Sequence, residues 1–295
     1  MRRGCEIYKL KCSTSATISG MKIAIQGALG SFHHLAAQKW FGSDAVIIPC
    51  DTFPDVFASL ENTQADAAIV AIENSLYGSI TAVYDLLVKH HYPIIGELPE
   101  HIHQQLIGYP GTKLEDITAV YSMAPALAQC HDFLTTHLPH ATRIEREDTA
   151  ESVSYIKSLE SSSSAAIASH AAATLHGMSI LQENIEDESA NFTRFLVIQP
   201  NASAPTGSHQ ASLVLRTDHS PGALFRALGI FAGLGINLTK LQSRPIRGQV
   251  FKYQFFIDIE ADKRQLDIAL SELDNLGCEI NILGHYKAAQ EIEVD

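Results

Sequence analysis

A short polar segment stands directly before an apolar strand pattern in "ESANFTRFLVI", residues 188–198. It holds Thr193 and Arg194 immediately before the apolar run "FLVI". A hydroxyl can donate a proton or a hydrogen bond, and a guanidinium can grip a carboxylate through two parallel hydrogen bonds. One interpretation is a strand whose first residues are solvated. The other is a strand that carries chemistry to the edge of a cleft.

The spacing of these residues limits what they can do together. Neighbouring residues on a regular strand point to opposite faces, so Arg194 points away from a cleft that Thr193 enters. Arg194 therefore has two interpretations: a substrate ligand on an irregular backbone, or a strut behind the site. Phe195 shares the face of Thr193 and is expected to pack there rather than react.

A second polar segment, "ENSLYGS", follows another buried-strand pattern. Asn74 offers a neutral amide to a carboxylate or hydroxyl, and Ser75 lies beside it. Glu73 is either a proton source or orienting group, or simply a solvated carboxylate. Gly78 and Ser79 are expected to open a helix whose N–H groups bind an anion.

A third polar set lies further along the chain. Ser122 precedes a helical pattern, where it would either help bind an anion or cap the helix. Gln129 follows seven residues later, about two helical turns, and so lies on the same side of that helix. The fourteen histidines include "HIH" at 101–103, but no third ligand is evident nearby, so no metal is expected.

The composition of the 295-residue chain excludes several classes of function. Its formal net charge of -12 would repel a phosphate backbone, so nucleic acid is not an expected partner. No apolar run reaches the ~18 residues that a membrane helix needs. The scattered cysteines, with no C-x-x-C pair, indicate reduced thiols and a cytoplasmic protein: Cys5, Cys12, Cys50, Cys130 and Cys278.

The elements that must position these residues alternate between strand and helix patterns, which predicts parallel sheets covered by helices. One α/β lobe is expected at about 21–97 and 188–200, and a second at about 98–187, with a cleft between them. Residues 201–208 are predicted to be a linker, and 209–290 a βαββαβ unit of ferredoxin-like type. Residues 1–20 are interpreted as a disordered extension or a misplaced start, with a transit peptide less favoured.

Six motifs in order resemble one family, the prephenate dehydratases that carry a C-terminal ACT regulatory domain. They are "GALGSF", "IENSLYGS", "SMAPALAQC", "NFTRF", "PGALF" and "GINLTKLQSRP". The resemblance runs from about Met21 to Tyr286. This chain departs from the family pattern at Gln242, where an acidic residue is usual, and at Met123 and Ala124, where histidine and proline are usual.

The resemblance implies a fold and an activity. The fold would be a two-lobed catalytic domain, like that of periplasmic binding proteins, followed by the ACT domain. The activity would be the decarboxylating dehydration of prephenate to phenylpyruvate in L-phenylalanine biosynthesis, with feedback by L-phenylalanine. Aromatisation drives this reaction, so no cofactor or metal is required. Arogenate dehydratase, or a non-catalytic amino-acid sensor, remain alternatives.

The resemblance also assigns roles to residues. Thr193 would donate to the departing hydroxyl, with Asn74 and Glu73 as further catalytic residues. The implied substrate-binding residues are Ser75, Gly78, Ser79, Ser122, Gln129, Arg194 and Phe195. The ACT domain would bind L-phenylalanine between the subunits of a homodimer or homotetramer, through Gly222, Ala223, Leu224, Asn237, Leu238, Gln242, Ser243, Arg244 and Pro245.

Overall fold

The structure is a computed structural model that describes residues 20–246 and 248–288. The predicted extension at 1–20 lies outside the described residues, apart from Gly20. The strands are β1 (Lys22–Gln26), β2 (Val46–Cys50), β3 (Ala67–Asn74), β4 (Gly78–Ser79), β5 (Ile94–His101), β6 (Gln105–Gly108), β7 (Ala119–Ser122), β8 (Thr142–Glu145), β9 (Ser164–Ala168), β10 (Ser179–Gln182), β11 (Phe192–Ile198), β12 (Gln210–Arg216), β13 (Asn237–Pro245), β14 (Tyr253–Glu260) and β15 (Glu279–Tyr286).

Helices connect most of these strands. They are α1 (Phe32–Phe41), α2 (Phe53–Glu61), α3 (Thr81–His90), α4 (Ala124–Gln129), α5 (His131–His137), α6 (Thr149–Leu159), α7 (His170–His176), α8 (Ala223–Gly233) and α9 (Lys263–Asn275). The predicted α/β class, with two lobes and a C-terminal βαββαβ unit, is confirmed.

Two sheets organise the chain. A ten-stranded sheet has the order β13-β14-β12-β15-β5-β11-β3-β1-β2, with β4 paired to β3, and a five-stranded sheet has the order β10-β6-β9-β7-β8. We call residues 21–101 and 192–200 lobe one, residues 105–182 lobe two, and residues 209–288 the C-terminal domain. The chain crosses between the lobes at 102–104 and again at 183–191, so two short segments join them side by side.

Local signals in the sequence explain several helix starts. Thr52 and Asp55 form a capping box at α2, and Ser31 caps α1. The prediction that Gly78 and Ser79 open a helix is wrong, because these residues form the short strand β4 against β3. Helix α3 begins two residues later, at Thr81, without a side-chain cap.

The C-terminal domain has its own apolar core beneath α8 and α9, which includes Leu213, Phe231 and Ile257. Helix α8 is capped by Gly222 in a left-handed backbone conformation with φ of 77°. In β13 a register shift against β14 lies between Leu238 and Lys240. After this bulge the side chains change faces, so Lys240 lies on the sheet face opposite to the helices.

The C-terminal domain packs tightly onto lobe one. Strand β15 pairs with β5 where Gly284 meets Ile94, and a Cβ at Gly284 would lie 2.3 Å from the Ile94 carbonyl oxygen. A single apolar cluster then spans both parts of the chain, with Tyr84 and Leu196 from one side and Phe256 and Tyr286 from the other. The ring of Tyr84 meets that of Phe256 edge-on at 4.6 Å. The two parts therefore share a core as well as a sheet.

Two further observations concern the helices and the cysteines. In the part of the chain that the structure describes, no helix is long and apolar enough to cross a membrane. Cys50, Cys130 and Cys278 are free thiols.

Candidate active site between the lobes

The candidate site is built on two neighbouring strand ends in lobe one. Strands β3 and β11 run antiparallel, and Asn74 lies directly opposite Thr193. Residues opposite each other in such a pair project from the same face of the sheet. The Asn74 amide nitrogen donates to the Thr193 hydroxyl oxygen at 3.1 Å, to the Asn191 side-chain oxygen at 2.8 Å and to the Phe192 carbonyl at 3.2 Å.

The orientation of the Asn74 amide is fixed by the backbone. Its oxygen accepts hydrogen bonds from the backbone N–H groups of Leu76 at 3.0 Å and Tyr77 at 2.9 Å. Backbone N–H groups can only donate, so the NH2 group must face Thr193. The turn after β3 thus sets which end of the amide meets the hydroxyl.

This contact leaves the Thr193 hydroxyl ready to donate. Its oxygen accepts from Asn74, and among the described residues no acceptor takes the hydroxyl proton. Thr193 is buried, with 8% of its surface exposed, and Asn74 is buried to a similar degree. The proton is therefore available to a bound molecule, and the hydrogen bond from Asn74 stabilises the oxygen that would lose it.

Lobe two contributes Gln129, the last residue of α4. Its side-chain oxygen accepts from Asn191 at 3.1 Å and from Gln104 at 3.2 Å, and its NH2 group lies 3.5 Å from the Asn74 oxygen. A chain of oriented amides therefore runs across the boundary between the lobes. Neither Asn191 nor Gln104 was among the residues predicted for the site from the sequence. Asn191 begins the quoted "NFTRF" motif, whereas nothing in "HIHQQ" marks Gln104 as part of a site.

Gln104 ends this chain with an unused acceptor. Its amide donates to Gln129, and no described residue donates a hydrogen bond to its buried side-chain oxygen. An unpaired buried acceptor is costly unless a ligand or water donates to it. Gln104 also lies in the segment 102–104 that joins the lobes, so it is held by the connection itself.

Ser75 and Ser122, two of the predicted substrate-binding residues, make different contacts. The Ser75 hydroxyl donates to the Ala190 carbonyl at 2.8 Å and accepts from the Phe192 N–H at 2.9 Å, so it fastens the end of β3 to the segment before β11. Ser122 is fully buried, and its hydroxyl donates to the Ile167 carbonyl at 2.7 Å. It does not cap α4, whose N-cap is Met123 without a side-chain hydrogen bond. The interpretation of Ser122 as a helix cap is therefore wrong.

Phe195 packs behind the site in the core of lobe one, with 1% of its surface exposed. The ring of His33 meets it edge-on at 4.9 Å, and the His33 Nε2 accepts from the Ala71 N–H. Burial lowers the pKa of His33 to about 3. His33 is therefore neutral and serves as a hydrogen-bond acceptor.

The glycine turn after β1 faces lobe two across the cleft. A Cβ at Gly27 would lie 2.4 Å from a carboxylate oxygen of Asp148, and one at Gly30 would lie 2.9 Å from the Cα of Ala172. The Ser169 hydroxyl donates to the Gly30 carbonyl at 2.6 Å. Burial raises the pKa of Asp148, the N-cap of α6. "GALGSF" is thus a turn where the lobes touch closely, which requires glycine.

Arg194 and Glu73 project from the other face of the sheet. The Arg194 guanidinium contacts Glu97 at 2.7 Å and Asp258 of the C-terminal domain at 2.6 Å, and it donates to the Tyr286 hydroxyl at 3.2 Å. Glu73 forms an ion pair with Lys240 at 2.5 Å. These contacts favour the interpretation of Arg194 as a strut. They also set Glu73 apart from the amide chain.

The backbone irregularity that would have turned Arg194 into the cleft lies on the other strand. Strand β11 pairs regularly with β5 from Phe192 to Phe195. Against β3, Arg194 lies opposite Glu73 but Phe195 lies opposite Ala71, so the extra residue belongs to β3. Thr193 and Arg194 therefore keep the opposite orientations that a regular strand gives them.

Comparison with known proteins decides the family. The family model for prephenate dehydratase matches residues 23–203, and that for the ACT domain matches residues 211–278.

The chain belongs to the prephenate dehydratase family.

Two curated relatives of this chain carry the names of two different dehydratases. The bifunctional chorismate mutase/prephenate dehydratase of Aquifex aeolicus (strain VF5) is 37% identical over 271 residues, which cover 91% of this chain and 74% of the relative. Arogenate dehydratase 2 of Petunia hybrida is 36% identical over 299 residues, covering 92% of this chain and 75% of the relative.

Two solved structures share the whole architecture. Prephenate dehydratase from Arthrobacter aurescens in complex with L-Phe is 30% identical, with a TM-score of 0.82 over 90% of this chain and 90% of that one. GqqA, described as "a novel type of quorum quenching acylases", is 32% identical, with a TM-score of 0.82 over 90% of this chain and 98% of that one.

The ACT-domain residues fall into two groups. Gly222, Ala223 and Leu224 form the start of α8, and Asn237 and Leu238 begin β13. Further along β13, Gln242 and Arg244 face lobe one, where Gln242 accepts from the Ser79 hydroxyl at 3.2 Å and Arg244 lies 3.4 Å from Asp85. The neighbouring Ser243 and Pro245 alternate with them and face the other way. The structure thus divides the predicted effector residues between two faces.

No group of three or more His, Cys, Asp or Glu side chains within 20–246 and 248–288 could hold a metal ion. The ring centroids of His101 and His103 do lie 3.8 Å apart, with the rings tilted by 42°, but these side chains bond to the Ser189 carbonyl and to Glu186 respectively. That the reaction needs no metal or cofactor stays a prediction.

Proposed function

We propose that this chain is a prephenate dehydratase that forms phenylpyruvate under feedback control by L-phenylalanine. One observation carries the proposal most directly: the buried Thr193 hydroxyl accepts a backbone-oriented hydrogen bond from Asn74 while its own proton stays available. A family member with this arrangement can protonate a departing hydroxyl inside a site that excludes water.

The conversion of prephenate to phenylpyruvate involves the loss of two groups from the ring. The bond to the ring carboxylate breaks, its electron pair enters the ring, and the carbon–oxygen bond to the ring hydroxyl breaks in turn. The products are CO2, water and phenylpyruvate, and one proton is consumed at the leaving oxygen. Thr193 is a poor acid when free, so its contribution depends on tight positioning and on Asn74 stabilising the charge left behind.

The amides explain how a doubly negative substrate could be held without a cation. The side-chain NH2 groups of Asn191, Gln129 and Gln104 each carry two N–H donors, of which one is engaged within the amide chain, so the second could donate to a bound substrate. Neutral donors bind carboxylates without the strong attraction that would also retain the product carboxylate. Arg194 and Glu73 are engaged elsewhere, so we assign neither of them a direct contact with substrate.

Arogenate is the closest alternative substrate, because it differs from prephenate only in an amino group on the side chain. One of the curated relatives is named an arogenate dehydratase. Nothing in the amide chain separates the two substrates by charge. A non-catalytic amino-acid sensor is the alternative from another class.

Acyl transfer is not part of the proposal, although one structural relative is described as an acylase. Amide hydrolysis needs a nucleophile activated by an adjacent base or metal. Among the described residues, neither Ser75 nor Thr193 has a histidine partner, and both hydroxyls contact amide or carbonyl groups.

Control is proposed to act through the C-terminal domain. L-Phenylalanine would bind where the start of α8 faces β13 of a neighbouring chain, in a homodimer or homotetramer. The domain exposes large apolar side chains suited to such an interface, with Phe225 80% and Phe251 78% exposed. We also propose a cytoplasmic location, in keeping with the free thiols.

The direct test mixes the purified full chain with prephenate and, separately, with arogenate, and follows the aromatic product. Turnover of prephenate supports the proposal, preference for arogenate shifts it to that substrate, and turnover of neither favours the sensor. Activity should survive EDTA. Loss of activity that one added metal restores would contradict the metal-free mechanism.

Feedback is tested in the same assay with L-phenylalanine. The parent should lose activity, and Gly222→Val should not, because valine cannot easily adopt the φ of 77° and would fill the space beside α8. If millimolar L-phenylalanine neither binds the full chain in calorimetry nor changes its activity, the domain serves only for assembly.

A further inference from the structure

Three neighbouring strand ends in lobe one present polar side chains to the C-terminal domain. Opposite residues pair Ser79 with Glu73 and Glu73 with Arg194, so the three form a row across β4, β3 and β11 on one face of the sheet. Each of them has a partner in the C-terminal domain. The partners, in the same order, are Gln242, Lys240 and Asp258.

The partners form a matching row. Lys240 and Gln242 are two residues apart on β13, and Lys240 lies opposite Asp258 of β14. The bulge between Leu238 and Lys240 turns these side chains toward lobe one. Without the bulge, the residues that now face α8 would face lobe one instead.

Two members of the lobe-one row, Glu73 and Arg194, each adjoin a residue of the candidate site that faces the cleft on the opposite side of the sheet. Glu73 precedes Asn74, and Arg194 follows Thr193, so one peptide unit separates an interdomain ion pair from a residue of the candidate site. A displacement of the C-terminal domain that keeps these ion pairs therefore acts on the same short strand ends. No chain of intermediate residues is needed between the C-terminal domain and the site.

The Arg194 contact is largely buried and is part of a wider hydrogen-bond network. Its partners Glu97 and Asp258 have side chains only 8% and 10% exposed, and Asp258 also accepts from the Ser212 hydroxyl at 2.6 Å. Burial alone would lower the pKa of Arg194, but Asp258 and its other neighbours raise it above the usual value. Ser212 in turn lies 2.7 Å from the Tyr286 hydroxyl, which completes a closed network.

We propose that Glu73 and Arg194 are positioning residues, which tie the strand ends carrying Asn74 and Thr193 to the C-terminal domain through Lys240 and Asp258. This inference rests on the proposed function, and it gives feedback a physical route. An effector that shifts the C-terminal domain pulls on two ion pairs, and the pull changes the distance between Asn74, Thr193 and a bound substrate.

The test uses full-length variants on the domain side of each ion pair, away from the site. Lys240→Met removes the charge at similar length, and Asp258→Asn keeps the shape and an acceptor for Ser212. Each should lower kcat about 10- to 100-fold, the cost of misplacing reacting groups by about 1 Å, while KM for prephenate changes little. Lys240→Arg keeps the ion pair and should restore most of the rate.

Two controls separate positioning from general loosening of the interface. Asp85→Asn weakens the contact with Arg244 at the same interface, but Asp85 lies on α3 rather than on a strand that carries the site, so kcat should stay at the parent value. Saturating L-phenylalanine should also inhibit Lys240→Met and Asp258→Asn proportionally less than the parent.

A readout without substrate keeps this inference separate from the proposed activity. Amide hydrogen exchange at Leu76, Tyr77 and Phe192, whose N–H groups bond to Asn74 and Ser75, should speed up in Lys240→Met but not in Asp85→Asn. If the parent turns over neither substrate, the proposed function fails. Hydrogen exchange alone then tests whether Lys240 and Asp258 hold the strand ends that carry Asn74 and Thr193. Parent-like kcat and parent-like exchange in both Lys240→Met and Asp258→Asn would overturn this positioning role.

Discussion

Asn74→Asp changes one NH2 group to an oxygen at the centre of the candidate site and leaves the shape of the side chain unchanged. The oxygen that accepts from Leu76 and Tyr77 keeps its backbone donors, so the new oxygen must replace the NH2 group. It then faces three oxygen atoms that the amide had bridged at 2.8, 3.1 and 3.2 Å.

The expected loss follows from those contacts. The Thr193 oxygen loses its donor, and its hydroxyl can turn to donate to the new carboxylate, which removes the proton from the substrate. Loss of one preorganised donor to a developing negative charge costs about 100- to 1,000-fold in kcat, or about 2.7–4 kcal/mol. We expect a loss of at least this size at neutral pH, because the proton is also diverted.

The pH dependence gives this prediction its sharpest form. Burial and two carbonyl oxygens oppose the charged carboxylate, whereas the Thr193 hydroxyl and the two backbone N–H groups favour it. We expect burial and the carbonyl oxygens to prevail, so the pKa of the new carboxyl should lie above its usual ~3.9. Below that pKa the neutral carboxyl can donate again to Thr193. The kcat of Asn74→Asp should therefore rise as the pH falls, relative to the parent.

Steady-state kinetics from pH 5 to pH 8, with Asn74→Ala as the control, provide the assay. Alanine offers no donor at any pH, so its ratio to the parent should stay flat. Parent-like turnover of Asn74→Asp at neutral pH would refute the role of the oriented amide. An equal, flat loss in both variants would refute the proton-diversion argument.

Three further predictions concern the site and the groups around it. Thr193→Ala should lose about 100- to 10,000-fold in kcat, whereas Thr193→Ser, which keeps the hydroxyl, should retain most of it; equal losses would argue against proton donation. Asp148→Asn keeps the helix cap but removes a carboxyl whose raised pKa disfavours the charged form. Calorimetry should show a higher Tm for Asp148→Asn at pH 7, and the gain should vanish below pH ~4, where the carboxyl is protonated in both states. Because the pKa of His33 falls from 6.5 to about 3 on folding, the free energy of unfolding should decline as the pH falls through that range. His33→Gln, which keeps an acceptor for Ala71, should flatten this decline in urea titrations.

The order of strands and helices was predictable because it depends on local periodicity. Alternating apolar patterns, turn residues and the "SPGALF" helix start all act within a few residues of each other. Exact ends were less predictable. Gly78 and Ser79 look like a helix start, yet pairing with β3 holds them in strand β4. The serine of "SPGALF" offers a side-chain cap, yet α8 begins at Ala223 after Gly222 in a left-handed backbone conformation. In both cases a contact or backbone conformation outside the local pattern decided the boundary.

The candidate site was predictable only in part. Thr193, Asn74 and Gln129 stand out as polar residues beside buried elements, and the structure brings them together. Gln104 joins them because the lobes meet at the connection that carries it, which no spacing in the sequence indicates. Ser122 stands where a helix cap would be expected, but its hydroxyl donates to the Ile167 carbonyl of a neighbouring strand instead.

The opposed faces of two strand ends explain why candidate-site and interdomain residues alternate in the same motifs. In "ENS" and "TRF", the side chains of Asn74 and Thr193 lie on the sheet face of the candidate site. Those of Glu73 and Arg194 lie on the opposite face, against the C-terminal domain. A two-residue strand period makes both roles possible within one motif, so a motif match alone cannot separate them. The separation comes from the bulge in β13, which supplies Lys240, and from β14, which supplies Asp258. The interdomain role of Glu73 and Arg194 can therefore be recognised only together with their partners in the C-terminal domain, which follows both motifs in the sequence.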